Sequence, residues 1–249
     1  MPGQTTQAFV LRTRDYRDTS LMATFYTWNF GKLKAIVKGG REARLRYGST
    51  LEPFSLNEIL VYHRRRGDLH LVTSAELIER YERVRRDLEA LGTASYVTEL
   101  VDEMTDSGQA HPEIFMLIRE TLEFLQKGGR PWLAARTAEV KLMQNLGLMP
   151  ELSVCVRCAV RIGEEAYFSI SSGGVVCPKC RKGEGPLVAS PRAVLEALGA
   201  IREKGFEAPA ELSKANEERT ERLLRRFVDY HLAYAPKSLK FLEKIGQAN

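Results

Sequence analysis

Four cysteines stand at Cys155, Cys158, Cys177 and Cys180, in two Cys-x-x-Cys pairs separated by residues 159–176. Two such knuckles bring four thiolates around one Zn²⁺, and the spacing falls within the range of zinc sites. A site closed by four sulfurs leaves no position for water or substrate, so one structural Zn²⁺ is expected and not a catalytic one. The competing reading is two disulfides in an exported protein. Against it stands the start Met1-Pro2-Gly3-Gln4-Thr5-Thr6, which has neither a basic n-region nor an apolar h-region and does not read as a signal peptide. No stretch approaches the ~20 apolar residues needed to span a bilayer. A cytoplasmic chain is expected, with its thiols reduced and available to metal.

The charge is unevenly placed. Residues 1–80 hold 13 Lys/Arg against 8 Asp/Glu, whereas the rest of the 249-residue chain holds 24 of each. The whole net charge of +5 therefore lies in the first third. Localised positive charge attracts polyanions and speeds their association.

That same third is built on period-two alternation. Five short strands are expected: Thr5–Arg14, Leu21–Trp28, Lys32–Lys38, Phe54–His63 and Leu69–Ala75. In the first, Phe9 and Leu11 are expected on one face and Val10, Arg12 and Arg14 on the other. In the third, Leu33, Ala35 and Val37 are expected to face a core, with Lys32, Lys34 and Lys38 opposite beside Ile36. In the fourth, the apolar phase slips at Asn57-Glu58, which implies a bulge. Closure into a barrel removes exposed edges, and a five-stranded OB-type barrel over residues 1–79 fits the count. An SH3-like barrel is the alternative that alternation does not separate.

OB barrels hold single strands by a basic groove with aromatic platforms. The basic candidates are Arg12, Arg14, Lys32, Lys34, Lys38, the loop residues Arg41, Arg44 and Arg46, and the hairpin tip Arg64, Arg65 and Arg66. The stacking candidates are Tyr26, Trp28, Phe30 and Tyr47, each also a natural core filler. The glycine-bearing segment Gly39–Pro53 is expected to close over a phosphate backbone.

From about Glu79 the period becomes 3.6, so residues 80–249 read as a helical domain with the Cys₄ zinc ribbon inserted at about 151–186. Helices are expected near 82–106 with a break at Gly92, and near 112–127 and 131–146. Ile114, Leu117, Ile118, Thr121, Leu122 and Leu125 trace one apolar stripe, and Ala134, Ala138, Leu142 and Leu146 another. Ala166–Ile170 reads as a ribbon strand and Ser172-Gly173-Gly174 as its turn. Arg157, Arg161, Lys179, Arg181 and Lys182 lie near the thiolates and offset their charge, or else touch nucleic acid directly. Ser190-Pro191 reads as the N-cap and first residue of a helix to about Lys204. A further helix is expected from Lys214 to Tyr234, with Leu223, Leu224, Phe227, Val228 and Leu232 buried. On its flank, Arg219, Arg222 and Arg226 are expected to pair with Glu217, Glu218 and Glu221. A short helix, Ser238–Ile245, ends the chain.

Taken together, Thr24-Phe25-Tyr26-Thr27, Gly31-Lys32, Lys38-Gly39-Gly40-Arg41, Leu51-Glu52-Pro53-Phe54, and the ribbon residues Phe168 and Gly173-Gly174 between the cysteine pairs resemble the bacterial recombination mediator RecO family. The order barrel, helices, Cys₄ ribbon, helices covers most of the chain. The resemblance implies a non-enzymatic, nucleoid-associated DNA repair protein that binds single- and double-stranded DNA and anneals complementary strands. It also implies association with RecR, help in loading RecA onto DNA coated by the single-strand binding protein SSB, and binding of the acidic SSB C-terminal tail.

An RNA- or ribosome-associated OB and zinc-ribbon protein would present the same basic barrel and stays open as the alternative. For an enzyme there is little to build on. Neither a Gly-x-x-x-x-Gly-Lys-[Ser/Thr] loop nor His-Glu-x-x-His occurs, and His63, His70, His111 and His231 show no ligand spacing.

Overall fold

The computed structural model describes residues 2–16, 18–40, 51–64, 67–209, 212–232 and 236–246. The first five strands are β1 (Gln4–Tyr16), β2 (Ser20–Thr27), β3 (Gly31–Val37), β4 (Leu56–Tyr62) and β5 (Leu69–Glu79). They close in the order β1-β2-β3-β5-β4 and back onto β1. All pairs are antiparallel except β3 with β5, which is parallel. This is the OB arrangement, so the choice left open by alternation is settled by strand order.

Register puts the apolar residues inside. Leu21 opposes Val37, Ala23 opposes Ala35 and Phe25 opposes Leu33, and all six are buried in one cluster with Val10, Ile59, Val61 and Val72. Each large side chain removed from water contributes about 1.5–3 kcal/mol. The slip expected at Asn57 is present, as a register shift between Leu56 and Asn57.

β1 departs from the expected alternation. Ala8, Phe9, Val10 and Leu11 are all buried, and the register on β2 shifts between Val10 and Arg12. The bulge puts Val10, not Phe9, inside the barrel. Phe9 instead faces helices that follow the barrel, 4.9 Å from the Phe115 ring and 6.5 Å from Tyr81. A strand covered on both faces reads as a continuous apolar run.

Helices α1 (Glu82–Arg86), α2 (Leu88–Met104) and α3 (Pro112–Gln126) follow. The break lies at Asp87, not at Gly92. Asp87 is extended, and its carboxylate accepts the N–H groups of Glu89 and Ala90 at 3.0 Å each, an N-cap for α2. Gly92 lies inside α2, where a Cβ would come within 2.6 Å of Leu242 Cδ2. Its role is close approach by the last helix, α7 (Lys237–Gly246). Glu99 of α2 accepts the Lys237 and Ser238 N–H groups at 2.9 Å each, closing the open end of α7. The α3 stripe is buried at all six expected positions.

The chain forms two compact units, residues 1–131 with 236–249, and residues 132–235. The second begins with α4 (Pro131–Asn145), which is buried along most of its length. Its Arg136 and Glu139 pair at 2.8 Å, as buried charges must. A three-stranded sheet follows, β6 (Tyr167–Ser169), β7 (Gly174–Val176) and β8 (Leu187–Ala189), in the order β7-β6-β8. β8 lies beyond the span expected for the ribbon. Helices α5 (Arg192–Lys204) and α6 (Lys214–His231) complete the unit, joined by a 3₁₀ turn at Gly205–Glu207.

The N-cap of α5 is Pro191, not Ser190. Ser190 is buried, its N–H bonded to the Ala166 carbonyl and its hydroxyl to that of Val188. On α6, Leu223, Leu224, Phe227 and Val228 are buried, and the Phe227 ring meets Phe168 of the sheet edge-on at 5.4 Å. The helix ends at His231, and Tyr234 lies outside the described residues.

Candidate nucleic-acid interface and metal centre

Cross-strand register arranges the basic face of the barrel. Arg12 opposes Thr24, which opposes Lys34; in the next row Arg14 opposes Met22, which opposes Ile36. Arg12, Thr13, Arg14, Met22, Thr24 and Lys34 line a shallow depression of about 160 Å³. Three cations and two hydroxyls around so small a space have the chemistry that suits an anion. Arg14 stays exposed, its Nε and Nη2 at 3.2 and 2.9 Å from Met22 Sδ. Lys34 and Lys38 are exposed, with no carboxylate partner among the described residues. Arg64 is also exposed, and its N–H donates to His70 Nδ1 at 3.2 Å.

Lys32 is different. It shares a strand face with Lys34, as expected, yet it is buried. Its ammonium lies 3.4 Å from Asp102 Oδ1 and also donates to the Asp102 carbonyl. Asp102, near the end of α2, is the partner that permits this burial. The expectation that the face opposite the core carries Lys32 in the open beside Lys34 and Lys38 therefore fails at Lys32. The same carboxylate reaches Arg12, whose Nε lies 3.0 Å from Asp102 Oδ2 and 3.2 Å from Thr24 Oγ1. Sequence reasoning missed Asp102 and Thr24, although Thr24 is readable once strand register is known. Arg41, Arg44, Arg46, Arg65, Arg66 and Tyr47 lie outside the described residues.

Of the described aromatic candidates, Tyr26 is fully buried, and burial followed by the charge of Glu113 pushes its hydroxyl pKa up. Phe30 is half-buried, edge-on to His63 at 4.5 Å. Trp28 is 41% exposed and borders a cavity of about 420 Å³ with Gln7, Asn29, Phe115 and Arg119. It is the most exposed of the described candidates, and its ring meets that of Phe115 edge-on at 5.4 Å.

The metal centre is compact. The four cysteine Sγ atoms lie within 4.8 Å of one another, and no cysteine is in a disulfide. A tetrahedron with ~2.3 Å metal–sulfur arms has edges of about 3.8 Å; the Cys158–Cys177 edge is 3.9 Å. The donor set thus fits a soft or borderline cation such as Zn²⁺. It is the one such group of potential ligands among the described residues.

Backbone fixes the first knuckle: Cys155 N–H bonds to the Val160 carbonyl, and Ala159 N–H returns to that of Cys155. The second follows β7 directly, and Cys177 N–H points at Cys155 Sγ at 3.4 Å. Burial opposes ionisation of Cys155, but N–H groups from Cys177, Arg157 and Cys158 overcome it and bring the thiol down to about 6. Cys180 is pushed the other way by hydrogen bonding to Cys158 and Cys177 and by crowding with Cys155. Crowded sulfurs that resist shared ionisation are the condition a divalent cation relieves.

Two of the five ribbon cations are engaged, and Arg161, Lys179 and Lys182 are exposed with no side-chain partner among the described residues. Arg157 pairs with Glu184 at 3.0 Å, and Glu184 also accepts from Ser169 and Ser172. Arg181 donates to Tyr167 Oη and lies 5.0 Å from its ring centroid. The expected pairing on α6 does not occur. Glu221 turns to Arg136 and Arg219 donates to Asn216, while Arg222 and Arg226 make no ion pair among the described residues. No helix of the described residues is long and apolar enough to cross a membrane.

Comparison with known proteins agrees with this architecture. The family model "Recombination protein O N terminal" matches residues 1–81, and "Recombination protein O C terminal" matches residues 85–240. The chain is 32% identical over 252 residues to DNA repair protein RecO of Syntrophus aciditrophicus, covering 96% of this chain and 95% of that one. It is 33% identical over 244 residues to the RecO of Pelotomaculum thermopropionicum, with 97% and 94% covered. An OB barrel followed by helices and a Cys₄ cluster, matched along nearly the whole length, places the chain in the RecO family of DNA repair proteins.

Proposed function

We propose that this protein is a non-enzymatic recombination mediator that grips DNA by its phosphates on the outer face of the barrel. The observation that carries this is the set of exposed cations Arg12, Arg14 and Lys34 around one depression on β1–β3, with Arg12 paired to Asp102 only at its Nε. Phosphate contacts neutralise charge and release counterions, which gives strong salt dependence and no sequence preference. A strand held by its backbone keeps its base edges free, and a complementary strand can then pair with it. Annealing follows from that division of labour. Trp28 supplies a stacking surface.

Family membership supports the rest of the role: binding of single- and double-stranded DNA, partnership with RecR, contact with the acidic SSB tail, and loading of RecA onto SSB-coated DNA. The four cysteines would hold one Zn²⁺, which supplies cross-linking of the two knuckles and no chemistry.

The test is binding of labelled oligo(dT) to the full chain across a salt series. Lys34→Glu with Lys38→Glu is expected to weaken binding about tenfold or more and to flatten the salt slope by roughly one to two units. Unchanged affinity and slope would remove this face from the DNA site. A strong preference for an RNA oligomer of matched sequence would instead favour an RNA-directed role.

A further inference from the structure

We propose that Asp102, although an anion beside the basic face, raises nucleic-acid affinity by holding Arg12 as a preset fork for one backbone phosphate. The inference rests on the barrel being the DNA site and assigns a positioning residue within it.

Geometry separates the two edges of the Arg12 guanidinium. Its single Nε–H donates to Thr24 Oγ1 at 3.2 Å, and Asp102 Oδ2 lies 3.0 Å from Nε as an ion pair. Its Nη groups have no partner among the described residues, and the side chain is 61% exposed where it borders the 160 Å³ depression. A guanidinium held at Nε keeps a pair of N–H donors in the plane that suits two phosphate oxygens. Arg14 and Lys34 stand on the same depression and add charge without fixing direction.

The charge of Asp102 does not cancel this site. Its side chain is only 9% exposed, lying behind Arg12 and against the buried ammonium of Lys32. Lys32 balances the carboxylate, and Arg12 keeps its positive charge for an incoming anion. One buried lysine and one buried aspartate thus serve to aim one exposed arginine. Holding a long side chain before binding removes an ordering cost of roughly 0.5–1.5 kcal/mol, or about two- to twelvefold in affinity.

The opposing reading is that Asp102 merely neutralises Arg12. The two differ in sign. If Asp102 only neutralises, Asp102→Asn removes an anion and binding tightens. If it positions, Asp102→Asn weakens oligo(dT) binding about three- to tenfold. Thr24→Val, which keeps every charge, weakens it roughly two- to threefold. Both effects should vanish in an Arg12→Ala background, because they act through Arg12.

Anisotropy titrations of the full chain, with melting curves to confirm folding, read all of these. Tighter or unchanged binding by Asp102→Asn overturns the proposal, and so does weakening that persists in the Arg12→Ala background. If Asp102→Asn does not fold, Thr24→Val alone and with Arg12→Ala decides by the same criteria. Lys34→Glu separates the two levels: if it weakens binding while the Asp102 and Thr24 variants do not, the DNA face stands and the positioning role falls. If it has no effect, the face itself is wrong.

Discussion

The barrel and the ribbon meet the same difficulty, a small sheet with little interior, by different means. The barrel closes on itself and fills its interior with Val10, Leu21, Phe25, Leu33, Val37, Ile59, Val61 and Val72. The ribbon's own cluster has only Cys155, Val176 and Cys177 fully enclosed, with Val156, Ile162, Tyr167, Cys180 and Leu187 around them. Three of its eight members are metal-ligand candidates, so its interior is completed by thiolate and cation. Charge is handled differently only in part. Arg157 and Arg181 of the ribbon are tied to Glu184 and Tyr167, while Arg161, Lys179 and Lys182 are exposed there, as Lys34 and Lys38 are on the barrel. The open ribbon cations flank in sequence a centre that carries negative charge when four thiolates hold a divalent ion, whereas Lys34 and Lys38 have no carboxylate partner among the described residues.

The largest expected effect breaks the chain along this line. Structural zinc sites in isolated peptides are worth about 10–16 kcal/mol of apparent binding energy, and that energy is folding energy. Chelation, or Cys155→Ser, is therefore expected to abolish protection of amides in residues 151–189 while those of β1–β5 keep theirs. Hydrogen exchange read by mass spectrometry checks this. Loss of barrel protection on chelation would show that the two regions do not hold their stability separately.

A pair of glycines sharpens the contrast at smaller scale. Gly31 has φ +61, and a Cβ there would lie 1.7 Å from the Gln109 carbonyl oxygen. Gly173, in the ribbon turn, has φ +67 with nothing within 4 Å. Both substitutions to alanine incur the left-handed penalty of about 1–2 kcal/mol. Only Gly31→Ala also forces backbone apart, so it is expected to cost about 3 kcal/mol or more, in the range of severe single changes. Urea denaturation of the two metal-loaded variants measures the difference. Equal losses would mean that residues 107–110 do not press on the start of β3, despite the Gly108 N–H to Lys32 carbonyl bond at 3.0 Å.

Sequence carried much of this and failed at identifiable places. The cysteine spacing requires only that two short loops face each other, and the strands of the barrel announce themselves by period two. The strand order that makes it an OB barrel depends on the parallel β3–β5 pairing, which no local pattern encodes. Alternation groups Val10 with Arg12 and Arg14, but a bulge between them, invisible to that pattern, turns Val10 into the barrel core and leaves the arginines outside. Lys32 and Lys34 are indistinguishable on a strand; only Asp102, seventy residues away, separates the buried one from the open one. The break at Asp87 is legible, since an aspartate opening an apolar helix is a cap signal, and the glycine rule that points to Gly92 competes with it. The α6 flank shows the reverse error: sequence spacing offers Glu217, Glu218 and Glu221 to Arg219, Arg222 and Arg226, yet Arg136 of another helix takes Glu221.

The smallest expected effect concerns pH and belongs to the barrel alone. His70 on β5 lies with its ring centroid 4.8 Å from that of His63, and its Nδ1 accepts the Arg64 N–H at 3.2 Å. Burial lowers its pKa first, the neighbouring His63 and Arg64 add to this, and Asp68 opposes it. A base whose pKa is lower folded than unfolded takes up protons more readily when the chain unfolds. Its contribution to stability is therefore complete above the unfolded value near 6.5 and is lost as pH falls through the lower folded value. Protonation also removes the acceptor at Nδ1, which frees the turn that carries Arg64. The His70→Asn variant supplies an acceptor oxygen that does not titrate. It is expected to flatten the decline in barrel stability below pH 6.5 and to leave stability above that pH nearly unchanged. Barrel amide exchange, followed separately from that of the ribbon, isolates this slope from proton competition at the thiolates. A slope identical in wild type and His70→Asn would assign the pH response to other groups.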